Sequence, residues 1–426
     1  MSTALSWPPA VPQNVNITSA QIAEMKLLEI PLYYIPCQSN GETYYKVGIV
    51  VNVAVNNGSA QGSQSSCLYE FDTGGPGFWA NGSNFKGFQS GSYDTAIQYE
   101  SGITYFAQST ECQISFYLSG SNNQTPSISI NMGLVGESYV TGQESINTPH
   151  SKFESNVDDD NNLFPIYNYF QGDFGVSLSS LQKCNVPSQY SGEFTPLLGA
   201  LSQIIQNNVN GFVIDLANLT ELPQNPYLGS IPITLPSETK VGRLILGAVA
   251  PLIEYFPQVF KLQNKGQFTP ETQSEKQNSY PIYSPQLLCG NAYTAQNDIP
   301  NIILTKEITQ AAVAVTLDTG TPSILFDQGT NMQISANQFP DNTEIALTVG
   351  GEGDDEGTPM PILYLTNPKP GDAPNNINMS TSAGGLGNIN TGIYPFTQFP
   401  ILFMIGTEPN APGLIAFPAA STTVSG

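Results

Sequence analysis

One short pattern occurs twice in this chain, far apart. LYEFDTGGPGFW spans 68–79 and VTLDTGTPSILF spans 315–326. Each is an apolar run that ends in Asp-Thr-Gly, followed by a turn and more apolar residues. A single Asp-Thr-Gly is a serviceable turn in any β protein, because Asp bonds nearby backbone and Gly frees it. Two copies at the ends of similar apolar strands predict one structural unit used twice, once in each half of the 426 residues. At roughly 100–200 residues per domain, that length accommodates two such halves.

The pattern also has a chemical logic. Gly lets the backbone turn sharply and leaves room around the carboxylate. Thr can hydrogen-bond backbone across a junction and lock the loop. Two such loops facing each other bring two carboxyls together. Like charges about 3 Å apart cannot both ionise, so one carboxyl keeps a proton over a wide pH range. The pair then titrates as a unit. Its ionised member can take a proton from water while its protonated member gives one to a carbonyl oxygen. That is acid–base amide hydrolysis without a histidine, a metal or a covalent nucleophile.

Composition narrows the alternatives. His150 is the only histidine, so any Ser-His-Asp or Cys-His mechanism must pass through it. It stands in a polar stretch and reads as a surface residue. Lys+Arg number 12 against 34 Asp+Glu, a net charge of −22. This excludes a basic face for nucleic acid and a polybasic membrane signal. No apolar run of about 18 residues offers a membrane span. The five cysteines (Cys37, Cys67, Cys112, Cys184, Cys289) form no metal-binding spacing, and no cofactor or metal is expected. Their odd number leaves disulfides and buried thiols both open. The acidic run 158–160 lacks the glycine and terminal Glu of a calcium loop and reads as solvated.

Strand-like alternation dominates the rest, which predicts an all-β fold. Examples are 44–55, 101–118, 211–216, 241–249, 311–318, 344–349 and 361–365. Short helices are expected at 18–28 and 194–205. The stretches 151–164, 268–279 and 350–359 read as polar loops. Only 11% of residues are charged, with 40% apolar and 10% aromatic. That balance suits a folded, secreted or cell-surface protein, although the start, MSTALSWPPAVPQNV, does not read as a signal peptide.

Both Asp-Thr-Gly segments resemble the active-site motifs of the pepsin-like aspartic proteases. The first family motif runs apolar-Asp-Thr-Gly-Ser-x-x-apolar-Trp, and Phe71 to Trp79 matches it with the tryptophan at the right offset. The second runs apolar-Asp-Thr-Gly-Thr/Ser, matched by Leu317 to Thr321. IQYESGITY (97–105) resembles the family's flap hairpin, with Tyr99 as the flap tyrosine. NMGLVGESY (131–139) resembles the strand that threads beneath the first loop, and 401–406 with 413–417 resemble the closing strands.

The resemblance implies a bilobed, pseudo-symmetric fold with a cleft between two β lobes. The expected divisions are an N-terminal extension (1–29), a first lobe (30–225, with an insertion near 140–190) and a second lobe (226–426). It implies an aspartic endopeptidase with an acidic optimum, acting on a polypeptide held in the cleft, most simply as a monomer. Asp72 and Asp318 would be the catalytic pair. Thr73, Gly74, Gly75, Thr319, Gly320 and Thr321 would support the loops. Tyr99, Ser101, Gly102, Trp79 and Phe78 would form the flap and substrate-binding surface, with Tyr99 hydrogen-bonded to Trp79. Gly75 departs from the family, which usually has a Ser or Thr hydroxyl there to bond the outer oxygen of the aspartate. That departure keeps a rival in play: an inactive scaffold acting as a binding, surface or structural protein.

Overall fold

The computed structural model describes residues 9–39, 41–55, 63–99, 103–120, 123–140, 164–177, 211–248, 250–262, 264–268, 280–283, 288–296, 303–304, 313–328, 343–349, 360–366, 377–381, 388–404 and 413–420. The first half contains α1 (Ser19–Glu24), β1 (Leu28–Ser39), β2 (Glu42–Val55), β3 (Ser63–Asp72), β4 (Pro76–Asn81), β5 (Thr95–Gln98), β6 (Ile103–Phe116), β7 (Ile128–Val140), β8 (Gly172–Val176) and β9 (Gly211–Glu221). Then follow β10 (Lys240–Gly247), β11 (Gln258–Leu262), β12 (Asn264–Phe268), β13 (Tyr280–Tyr283), β14 (Leu288–Gln296), β15 (Ile303–Leu304), β16 (Val313–Thr316) and β17 (Ile324–Gln328). The chain closes with β18 (Thr343–Val349), β19 (Met360–Thr366), β20 (Ile377–Thr381), β21 (Asn388–Asn390), α2 (Tyr394–Gln398), β22 (Ile401–Met404) and β23 (Gly413–Phe417). The fold is all-β. No described helix is long and apolar enough to cross a membrane.

Alternation on β2 shows how the sequence builds the first half. Successive strand side chains point to opposite faces. Val47, Ile49, Val51 and Val53 face the main core, while Val50 joins a second cluster with Tyr33, Leu68, Trp79 and Tyr105. A strand buried on both faces must be covered on both. Those two clusters cover its faces, while its edges pair with β3 on one side and with β1 and β6 on the other. The circuit β2-β3-β8-β4-β7-β6 closes on itself through the β2–β6 pairing.

β8 lies between the two strands that flank the first Asp-Thr-Gly. It runs parallel to β3, with Asp72 opposite Gly175, and antiparallel to β4, with Gly77 opposite Gly175. A Cβ on Gly175 would collide with the Gly75 carbonyl, so only glycine lets this strand pass beneath the loop. This corrects the expectation for 131–139. β7, which contains that segment, pairs instead with β4 and β6. Its Gly133 makes room for the Trp79 ring, not for the loop. Gly172–Val176 therefore belongs to the sheet itself, although it lies within the stretch expected as an insertion near 140–190.

The second half repeats the arrangement. β21 runs parallel to β16 and antiparallel to β17, and β20 runs parallel to β17. Thus β3, β8, β4 and β7 correspond to β16, β21, β17 and β20. An antiparallel layer, β11-β23-β22-β9-β10-β1, joins the end of the chain to its beginning. Its apolar face carries the Phe212–Phe403 stack at 5.0 Å. The expected boundary at 225/226 falls between β9 and β10, which are paired neighbours in this layer.

The helix expected at 18–28 forms as α1, started by a capping box between Thr18 and Gln21. Its Ile22 packs with Ile17, Leu27, Val213 and Phe256. The helix expected at 194–205 lies outside the described residues. So do His150, the acidic run and the three polar stretches, apart from residues 164 and 268. Cys37, Cys67 and Cys112 are buried free thiols. The side chains of Cys184 and Cys289 lie outside the described residues.

The sole arginine, Arg243, serves this central layer. Its Nε and Nη2 donate to Asp215 Oδ2 at 2.9 and 2.8 Å, and Asp215 is fully buried. Asn218 donates its backbone N–H and side-chain amide to the same carboxylate. Removing one partner of such a pair leaves an uncompensated buried charge. Arg243→Met is expected to lower unfolding free energy by about 3–5 kcal/mol. Asp215→Leu/Arg243→Met should recover most of that loss in denaturant melts.

Candidate active site

The two Asp-Thr-Gly loops meet. The Thr73 N–H donates to Thr319 Oγ1 at 3.0 Å, and the Thr319 N–H donates to Thr73 Oγ1 at 2.9 Å. Each hydroxyl then passes on its proton: Thr73 Oγ1 to the Leu317 carbonyl at 2.8 Å, and Thr319 Oγ1 to the Phe71 carbonyl at 2.7 Å. Four bonds related by a twofold exchange tie the loops together. This is the cross-brace expected of Thr73 and Thr319.

The brace presses each carboxyl against the opposite loop. A Cβ on Gly74 would overlap the Asp318 carboxyl, and one on Gly320 would overlap the Asp72 carboxyl. Both aspartates are 8% exposed. The Asp318 carboxyl is a near neighbour of the Asp72 carboxyl. Burial, and after it the Asp318 carboxyl, push the Asp72 carboxyl well above the ordinary carboxylate range.

The surroundings of the two carboxyls differ. Asp318 accepts from the Gly320 N–H at 2.8 Å, Thr321 Oγ1 at 2.7 Å and Asn390 Nδ2 at 2.6 Å. The Gly74 N–H donates to Asp72 Oδ1 at 2.7 Å. No side-chain hydroxyl is available at Gly75 to serve Asp72 Oδ2. A Cβ there would collide with Asp72 Oδ2 and lie 3.0 Å from Tyr99 Cε1. The Tyr99 ring thus borders the space that a hydroxyl-bearing side chain at position 75 would enter.

Tyr99 and Trp79 do not pair as expected. Trp79 Nε1 donates to the Pro76 carbonyl at 3.0 Å. The Tyr99 hydroxyl is sealed from solvent and faces Asp173 instead. Tyr105 stands between the two rings, with centroids 5.7 Å from Tyr99 and 6.2 Å from Trp79. Phe78 and Trp79 are also corrected as substrate-facing residues, because both side chains are fully buried. Phe78 packs edge-on against Tyr69 and Phe174 in the main core. Ser101 and Gly102 lie outside the described residues.

Four polar residues at the site escaped the sequence reading. Asn390 lies 72 positions beyond Asp318 and carries no motif. Asp173 sits on β8, and burial followed by Glu70 pushes its carboxyl well above the ordinary range. Lys46 and Glu70 form a buried ion pair next to the loops. A polar residue in an apolar strand was the one signal for Lys46, Glu70 and Asp173, and it named no partner. The described residues contain no cluster that could hold a metal ion.

Two predictions follow from this geometry. The folded Asp72 carboxyl keeps its proton to a higher pH than the unfolded one. Below the ordinary carboxylate range both states are protonated and there is no penalty. As pH rises towards the raised value, stability falls. Asp72→Asn should therefore be more stable than the parent at neutral pH and no more stable near pH 3. The gain should be about 1.4 kcal/mol for each unit by which the carboxyl is raised. Equal denaturant midpoints at neutral pH would refute it. Gly75→Ser restores the family's residue but overpacks this site. It should cost about 1–3 kcal/mol in the same melts, and unchanged stability would contradict the close packing.

No protein-family model matches the chain, and no curated protein matches it in sequence. Among solved structures the chain is similar to basic 7S globulin from soybean, at 10% sequence identity and a TM-score of 0.41, covering 93% of this chain and 98% of that one.

Proposed function

We propose that this protein is an aspartic endopeptidase of the pepsin-like kind. The observation that carries the reading is the pairing of Asp72 with Asp318, held by the reciprocal threonine brace. Asp318, with three hydrogen-bond donors, is assigned as the base that takes a proton from the attacking water. Asp72, raised by burial and by its neighbour, is assigned as the acid that protonates the carbonyl oxygen. A tetrahedral diol then forms. In its collapse the C–N bond breaks, Asp318 gives its proton to the leaving nitrogen, and a diol hydroxyl returns a proton to Asp72, which restores the pair. The substrate is a polypeptide, and a secreted or surface location suits the low-charge composition.

A second reading is an inactive scaffold that binds a partner or serves a structural role. The observation in its favour is the Asp72 surround, with Gly75 in place of a hydroxyl and the Tyr99 ring bordering that glycine. The discriminating experiment is cleavage of a mixed peptide library between about pH 3 and pH 7, with and without an analogue carrying a tetrahedral hydroxyl at the scissile position. Cleavage is expected to peak in acid, to be blocked by the analogue, and to fall by about 10²–10⁴-fold in Asp72→Asn. Absence of cleavage by folded protein at every pH would support the scaffold reading.

A further inference from the structure

One ionic group beyond the aspartates is buried against the site. Lys46 lies on β2 in the first half, yet its ammonium reaches the loop of the second. It is 6% exposed, and no other cation is among the buried residues described. Nζ donates to Glu70 Oε1 at 2.6 Å and to the carbonyl oxygen of Gly320. It also sits 5.1 Å from the centroid of the Tyr167 ring. Burying an ammonium is costly unless it is paired and hydrogen-bonded, and each of these contacts reduces that cost.

Gly320 is the pivot. Its N–H holds Asp318 Oδ1, its Cα packs under the Asp72 carboxyl, and its carbonyl is held by Lys46. Glu70 precedes Asp72 by two residues on β3 and orients the ammonium. Glu70, Lys46 and Gly320 therefore link the strand carrying Asp72 to the loop carrying Asp318, by a route separate from the threonines. The groups around the ammonium are Glu70 and Asp72 from β3, Cys37 from β1, Tyr167, and Asp173 from β8.

We propose that Lys46, oriented by Glu70, is a positioning residue for the aspartate pair, fixing the Gly320 peptide and supplying the positive charge against which the pair ionises. This rests on the peptidase reading of the same site. Burial alone would lower the Lys46 ammonium, but Glu70 more than offsets it and holds the group above the ordinary lysine range. The charge is therefore present throughout acidic and neutral pH.

The test separates charge from packing by sign. Lys46→Met removes the cation, so the pair should ionise at higher pH. Glu70→Gln keeps the cation and removes its counter-charge, so the pair should ionise at lower pH. Shifts of roughly one pH unit in opposite directions are expected. They would be read from the acidic limb of the kcat profile and from the side-chain carboxyl carbon resonances of isotope-labelled aspartates. Lys46→Met should also lower kcat about tenfold or more, with KM changed little, because Gly320 loses its anchor.

Shifts in one direction, or none, in folded variants overturn the proposal and leave the peptidase reading intact. Opposite resonance shifts in a parent that cleaves nothing uphold the electrostatic role and sink the peptidase reading instead. Should Lys46→Met fail to fold, Lys46→Met/Glu70→Leu replaces the buried pair with apolar groups. Parent-like kcat and pH profile in that variant would overturn the proposal, and a lowered kcat with unchanged KM would support it.

Discussion

At the centre of this molecule the two loops approach so closely that Asp72 fills the space above Gly320 and Asp318 fills the space above Gly74. Two carboxyls at that range repel unless a proton is shared. The loops cannot relax apart, because Thr73 and Thr319 each donate to and accept from the opposite loop. Each such bond is worth only about 0.5–1.5 kcal/mol net. Their value lies in fixing the separation at which the carboxyls perturb each other. The surrounding sheets exist in the same register for the same reason. β8 and β21 must pass beneath their loops, and Gly175 permits this in the first half.

Few charges are present, and the placed ones are informative. Lys46 is buried with Glu70 beside the aspartates, and a half-buried Arg243 pairs with the buried Asp215 in the layer joining the two ends of the chain. Each pair includes a residue whose partner group lies on another strand. Each therefore specifies a register as well as satisfying its own charge. The unequal treatment of the aspartates is part of the same economy. Asp318 collects donors from its own loop and from β21, while Asp72 is left to the Gly74 N–H and its neighbours. Such inequality makes the two carboxyls chemically distinct.

Much of this was legible beforehand. The β2 alternation, the two Asp-Thr-Gly sites, the threonine brace and the Thr321 contact are all local patterns or pairs of local patterns. Other features were not. The strand beneath the first loop was expected at 131–139 and is Gly172–Val176. Both stretches mix apolar residues with glycines, and only their pairing partners and the closeness of the Gly75 carbonyl distinguish them. Phe78 and Trp79 were read as substrate-facing from their place in a motif. β4 instead buries both, because β7 and β8 cover its two edges and the core takes its faces.

By itself the sequence determined the all-β character, the duplicated motif and a carboxyl at the end of each copy. These depend on residue type and on spacings of a few positions, where steric period and turn preference act directly. Tertiary structure alone decided that Asn390 donates to Asp318, that the Tyr99 ring borders Gly75, and that Lys46 grips Gly320 across 274 residues. Those outcomes depend on desolvation and on contacts between segments distant in the chain. Burial strength and the identity of a buried group's neighbours arise only once strands from both halves close around it.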